Sequence, residues 1–424
     1  MNMDRTIRVF IALVIGAACV WSSPGVSDAK IEMTGSALVS AQDVDFDTTS
    51  GALDEDFNFN DPRVNLYVNA DVTDRVSVFT HFWIGNDWSN DNHTAGAPAN
   101  GGINNKFVDA VSFVIGYVSI KDVFGLGLDL KIGNIEIPYG WEQAHHTHGA
   151  DDRRNDFVTN SLLDINGYDP GVLLSGSFEA RQNPISWEFG VFNGGVVNDG
   201  SPSGTSGQSR SNDDLALAVR AETRIDDRLS VQASYYQNDS TRDGDHDPLK
   251  IGSALFITSV SRAPGGGLAQ NANLRGLTYI AGADGGGYDR EMWEVSGKYD
   301  FDRGYLLAFW GNIDADSITV NAGREWNYYG LQGRYDLNEQ SYLAARWNRL
   351  DLDYNFGVAG LDLGKPALWT VAAGYALADN ARLKVEWSSF DEDGPHFGNL
   401  DGSAFSNGGS QDADALTVSL GVSF

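Results

Sequence analysis

The chain has 424 residues, with 58 acidic against 29 basic side chains and a formal net charge of −29. Nucleic-acid phosphates demand a basic face, so that balance excludes them as partners. There is a single cysteine, and after the first thirty residues no run of about eighteen apolar residues occurs, which excludes a disulfide framework and a membrane-spanning helix there.

The N-terminus reads as a secretory signal. Arg5 and Arg8 precede an apolar run from Val9 to Val20, and Ser27-Asp-Ala29 is a small-x-small cleavage site. The expected plan is a signal peptide over 1–29 and one barrel domain over 30–424. Cys19 falls inside the signal, so cleavage would leave a mature chain without thiolates.

From Lys30 onward the hydrophobic period is two, not 3.6. Ile31, Met33, Ala37 and Val39 alternate with Glu32, Thr34, Ser36 and Ser40, and at the far end Leu416, Val418, Leu420, Val422 and Phe424 alternate with small polar residues. Asp-, Asn- or Gly-rich turns fall at 72–75, 122–125, 180–184, 225–228, 301–304, 337–340 and 377–380. Flanked by alternating runs, each marks a hairpin. These hairpins with the unpaired first and last strands predict sixteen strands. Long polar loops are expected at 44–61, 86–106, 137–169, 195–213, 239–289, 315–323, 353–366 and 392–412. The fifth could hide a further hairpin in 251–260 and 276–282, giving eighteen strands. Short turns at one end and long loops at the other describe a transmembrane antiparallel β-barrel in a bacterial outer membrane, bathed by lipid and lipopolysaccharide.

Alternation assigns the faces. Leu217, Val219, Trp293, Val295, Trp369, Val371, Val385 and Trp387 point to lipid, while Trp310, Trp326 and Tyr328 fall on the polar parity, where a sugar-like solute could stack. The strand over 108–121 is apolar on both faces, as suits burial against a neighbouring subunit or beneath an inserted loop. Phe424 ends the chain on the outward parity.

The third loop is expected to fold into the lumen. It carries Glu142, His145, His146, His148, Asp151, Asp152, Arg153, Arg154 and Asp156. Opposite it the wall would present Arg220, Arg334, Arg346, Arg382 and Lys384, with Glu386 among them. An acidic loop facing a basic wall sets a field across the pore. His145-His146-x-His148 lacks a carboxylate or cysteine at a metal-site spacing, and Asp243-x-Asp245-x-Asp247 lacks the central Gly and distal Glu of a calcium loop. No cofactor is expected beyond non-specific Ca²⁺ or Mg²⁺ at acidic outer loops. His81 and His93 stand without a serine nucleophile motif, so no enzyme is expected.

Lys131-Ile-Gly-Asn-Ile-Glu-Ile-Pro-Tyr-Gly-Trp-Glu142, Asp169-Pro-Gly-Val-Leu-Leu-Ser-Gly176 and Glu188-Phe-Gly-Val-Phe-Asn-Gly-Gly195 together resemble the phosphate-selective porin (porin O and P) family. The resemblance implies a homotrimer of sixteen-stranded porins with the third loop in the lumen. The family's anion-selective members carry rows of Arg and Lys leading to the constriction; here the third loop is acidic. The expected function is a water-filled channel for passive diffusion of small hydrophilic solutes and ions, weakly selective or cation-preferring. A substrate-specific channel for phosphate, an organic acid or a sugar stands beside it, as does a surface binding or adhesion barrel with a plugged lumen.

Overall fold

A computed structural model describes residues 30–48, 51–85, 110–145, 156–158, 164–180, 183–194, 215–239, 249–252, 288–317, 323–355, 365, 367–392 and 411–424. The expected signal peptide lies outside them. The strands are β1 (Lys30–Thr48), β2 (Gly51–Asp71), β3 (Val76–Gly85), β4 (Ala110–Val123), β5 (Leu128–Glu136), β6 (Asp164–Ala180), β7 (Asn183–Phe192), β8 (Ala216–Arg224) and β9 (Leu229–Asp239). They continue with β10 (Leu249–Gly252), β11 (Tyr288–Phe301), β12 (Gly304–Ser317), β13 (Gly323–Asp336), β14 (Ser341–Asn355), β15 (Ala367–Ala378), β16 (Ala381–Glu392) and β17 (Gln411–Ser423). One short helix, α1 (Trp141–His145), follows β5.

Sixteen strands pair antiparallel in chain order and close on themselves through β1 and β17, from Ser36↔Ser423 to Thr48↔Gln411. Closure leaves no edge, so every wall amide meets a partner inside the bilayer, where water is absent. Phe424 completes the seam with Gly35: the two exchange backbone bonds of 2.9 and 3.0 Å. The alternative of eighteen wall strands is corrected, because β9 and β11 pair directly from Leu229↔Tyr299 to Asp239↔Asp289. β10 stands outside the wall and pairs with the outer end of β6, at Asp164–Gly167. The first loop is also shorter than expected. β1 and β2 stay paired out to Thr48↔Gly51, so most of 44–61 is strand. Asp169 likewise lies on β6, not in the third loop.

Side chains fix the short turns. Thr73 Oγ1, Asp226 Oδ1 and Asn338 Oδ1 each accept backbone N–H groups two and three residues ahead, at 2.7–3.2 Å. Such Asx and ST turns are why these residue types mark the hairpins. The N–H groups of Arg228 and Leu229 hold the exposed Asp226 carboxyl below its usual pKa. A depressed folded pKa means that this support is present above the ordinary carboxylate range and fades as pH falls through the folded value.

The outward face is apolar along its middle, with Val295, Leu306, Leu331, Leu343, Val371 and Leu416 all exposed. Tyr299, Tyr335 and Tyr375 ring it near the turns, and Trp310, Trp369 and Trp387 nearer the loops. Trp310 is a correction. Its register partner is Val295, it is 49 % exposed, and it packs edge-on against Trp293, so it anchors in lipid and is not available to a solute. Val295→Arg is expected to destabilise the folded barrel by about 2–4 kcal/mol, since a mid-bilayer charge costs that much. Denaturant titration in lipid vesicles measures it.

Candidate functional site

The third loop enters the lumen through a turn that favours glycine. Gly140 has φ +70°, and an added Cβ would stand 3.2 Å from Glu294 Oε2. The turn aims two consecutive amides at the wall. Gly140 N–H donates to Ser234 Oγ at 3.0 Å on β9, and Trp141 N–H to Glu294 Oε1 at 2.6 Å on β11. Tyr328 on β13 donates to Glu294 Oε2 at 2.9 Å, and the Tyr139 hydroxyl stands 2.9 Å from that of Tyr328. Because the Tyr328 proton is already given to Glu294, Tyr139 is the donor in that pair. Burial, then the Glu294 carboxylate, raises the Tyr139 pKa well above its usual value, so the Tyr139 hydroxyl keeps its proton. Gly311 allows the arrangement: the Tyr328 ring lies where its Cβ would be, at 2.2 Å. Behind this latch Ile137 and Tyr139 are fully buried. α1 then carries His145 to 3.2 Å from Glu222 Oε2 on β8, its ring 4.2 Å from that of Trp141.

A second latch lies further round the wall. Asp156 Oδ1 accepts Arg334 Nη1 at 2.7 Å, its Oδ2 accepts the Tyr305 hydroxyl, and its carbonyl accepts the Tyr342 hydroxyl at 2.8 Å. Phe157 packs with Tyr342, Ala344 and Ala372, beneath the Arg346 guanidinium at 4.5 Å. Val158 N–H donates to Glu386 Oε2 at 2.7 Å. β14, which carries Tyr342 and Arg346, is eight pairings from β5 around a sixteen-strand ring, so Asp156 stands against the wall opposite the strand from which the loop departs.

This placement alters the expected electrostatics. Arg334, Arg346, Arg382, Lys384 and Glu386 sit together on β13–β16, but Asp156 lies against that wall and not across from it. Arg334 is held by Asp156 and also by Asp336 at 2.6 Å, while Arg382 covers the Tyr342 ring at 5.4 Å. Lys384 and Glu386 are buried. Arg220 stands apart on β8, paired with Glu188 at 2.9 Å. The field expected between Asp156 and this wall is therefore a set of short-range neutralising contacts. Glu142 is the second residue of α1, while His146, His148, Asp151, Asp152, Arg153 and Arg154 lie outside the described residues, as do 243–247. Among the described residues no group of three His, Cys, Asp or Glu could hold a metal. Ser234, Glu294, Tyr305 and Tyr342 were not singled out as loop anchors from sequence. Their one sequence signal is inward parity, with Tyr328 paired across the ladder with Gly311.

The free side of the lumen lies under β2–β8. A cavity of about 280 Å³ is bounded there by Ile137, Pro138 and Ala144 of the loop and by Tyr67, Phe79, Ile115, Tyr117, Lys131 and Leu173 of the wall. The inward side of the doubly apolar β4 is thus covered by the inserted loop. A second cavity, about 300 Å³, lies nearer the turns beside Asp129, Ser175, Ser177 and Ser186. Both are walled by the Glu188–Arg220 pair. His81 is buried on this wall, bonded to Asn65 Oδ1 at 3.0 Å and stacked on Tyr67.

The short motifs meet at the loop end of the barrel. Asp169 Oδ2 accepts Gly194 N–H at 2.7 Å, Asn193 N–H donates to the Pro170 carbonyl at 2.9 Å, and Asn238 Nδ2 donates to the Gly194 carbonyl at 3.0 Å. The aspartate of one motif and the Asn-Gly of another thus brace one corner beside the third-loop entrance.

Gly140→Val is expected to loosen the first latch by about 1–3 kcal/mol through backbone strain alone. Faster cleavage within the third loop by protease, with barrel unfolding unchanged, is the expected result.

No protein-family profile matches the chain, and no curated protein does. Solved structures do. Outer-membrane-expressed OmpT of Vibrio cholerae superposes with a TM-score of 0.54 at 11 % identity, covering 95 % of this chain and 99 % of that one. The outer membrane channel DcaP of Acinetobacter baumannii gives 0.52 at 12 % identity, covering 94 % and 99 %. The anion-selective porin from Comamonas acidovorans gives 0.51 at 12 % identity, covering 94 % and 100 %. At such identity the likeness establishes the fold, that of outer-membrane porin barrels. The comparisons do not support the narrower resemblance to the phosphate-selective family, which rests on the short motifs alone.

Proposed function

We propose that the chain is an outer-membrane porin, a water-filled channel for passive diffusion of small hydrophilic solutes and ions. The observation that carries this reading is a third loop latched to one half of a closed barrel, leaving cavities along the other half. A weak cation preference belongs to the reading, because the net charge of −29 resides mainly outside the paired wall charges. Phosphate selectivity is not favoured: Arg220 and Arg334 are each tied to a carboxylate, which leaves less positive field for a doubly charged anion. The reading also includes a signal peptide removed after Ala29, a homotrimer in lipid and lipopolysaccharide, and loosely held divalent cations at the outer ends of β1, β2 and β17, where Asp45 is in register with both Asp54 and Asp414. One structure with this fold, OmpT of Vibrio cholerae, has been solved in trimer form.

Planar-bilayer recording tests the proposal. Stepwise ohmic conductance in KCl is expected, with a small reversal potential of cation-preferring sign in a salt gradient. Asp151→Asn with Asp152→Asn should shift that potential toward zero. A folded barrel that conducts nothing would instead support a plugged binding or adhesion barrel.

A further inference from the structure

The free side of the lumen is not chemically uniform. Tyr67, Phe79 and Tyr117 form a row across β2, β3 and β4, with ring centroids 6.1 and 5.2 Å apart. The row ends at Lys131 on β5, whose ammonium lies 5.1 Å over the Tyr117 ring. Among the described residues no carboxylate lies within ion-pair distance of that ammonium. Glu188 and Arg220, by contrast, neutralise each other at 2.9 Å further round the same wall. Apolar groups of the third loop, Ile137 and Pro138, close the cavity from the other side.

We propose that this cavity is a solute-binding subsite for small ring-bearing monocarboxylates, of which benzoate is the simplest. The inference rests on the channel reading and names the solute class that its free side favours. A single cation held on an aromatic face takes one carboxylate, and a row of rings takes one apolar ring beside it. Glu136 and Glu188 face any anion here, but a doubly charged phosphate would be repelled more strongly than a monocarboxylate and would also lose its hydration against apolar side chains. A plain acetate would meet Lys131 but leave the ring row in water. The volume, about 280 Å³, lies at the small end of ligand sites, as a one-ring solute requires. Affinity here is weak by design of the site: a subsite in a diffusion channel must release what it takes.

The test pairs equilibrium titration of the detergent-folded barrel with single-channel recording at neutral pH. Probes are sodium benzoate, sodium acetate and benzamide. Benzoate is expected to bind, and to interrupt the KCl current, at concentrations at least about tenfold below those of acetate or benzamide, which is about 1.4 kcal/mol. Lys131→Met should remove the advantage of benzoate over benzamide. Phe79→Ala, with Tyr117→Leu as a milder second variant, should remove its advantage over acetate. Equal effects of benzoate and acetate on the wild-type barrel, or a benzoate response unchanged by Lys131→Met, would overturn the subsite. KCl conductance without benzoate selectivity sinks the subsite and spares the channel, whereas binding without any conductance sinks the channel and spares the subsite.

Discussion

Asp156→Ala is expected to release the far half of the third loop and to raise single-channel conductance and its noise. The carboxylate sits 7 % exposed between Arg334 and the Tyr305 hydroxyl, and both of its oxygens are used. Hydrogen bonds to a charged group are worth about 1.5–3 kcal/mol each, but the two share one anion and do not add. Arg334 keeps Asp336 at 2.6 Å after the substitution, so its charge is not stranded. The Tyr342 bond to the Asp156 carbonyl and the Phe157 contacts also survive. A net loss of about 3 kcal/mol follows, which shifts the balance between docked and released loop by roughly a hundredfold. The barrel itself should stay folded, because its ladder closes without the loop. Asp156→Asn should fall between wild type and Asp156→Ala, since its amide oxygen still accepts from Arg334. An unchanged conductance trace in Asp156→Ala would mean that the loop is held elsewhere.

The barrel was legible in the sequence because its rules are local. Period-two alternation fixes which side chains face lipid, and Thr73, Asp226 and Asn338 bond their own turns, so each hairpin carries its signature within a few residues. The exceptions have physical causes. β1 and β2 remain paired through an acidic stretch that reads as loop, because ladder bonds do not depend on side-chain polarity. Trp310 was placed inward by counting across polar neighbours, yet its cross-strand partner Val295 sets its face. The latches were not legible. Glu294 and Tyr139 are 155 positions apart as numbered, and nothing near either residue announces the other. Inward parity alone marks Glu294 as no more than a wall carboxylate, and only the docked loop makes it an anchor. The acidic loop suggested a field spanning the pore, but a carboxylate 2.7 Å from a guanidinium gains more from contact than from distance, so Asp156 went to the basic wall.

Glu294→Leu is expected to undo the first latch more completely than any single change nearby. It removes the acceptor of both the Trp141 amide and the Tyr328 hydroxyl, and it leaves those two donors buried without partners. An orphaned buried donor costs about 1–3 kcal/mol, so the loss at this latch is about 3–4 kcal/mol once both are counted with partial relaxation. Glu294→Gln should cost far less, because its carbonyl oxygen still accepts one bond and the Tyr328 hydroxyl can turn to accept from the amide. Combining Glu294→Leu with Asp156→Ala separates two pictures of the loop. If each latch holds only its own segment, conductance changes add. If the latches hold one strap, the first release leaves the loop tethered at high effective concentration beside its vacant site, and only the second lets it swing free. Trp141 and Asp156 are fixed on overlapping sectors of one wall, the first latch on β9, β11 and β13 and the second on β12–β14, so releasing either leaves the loop held close to its vacant site. The double variant is therefore expected to conduct well beyond the sum of the singles, and simple additivity would show the two halves of the loop to move independently.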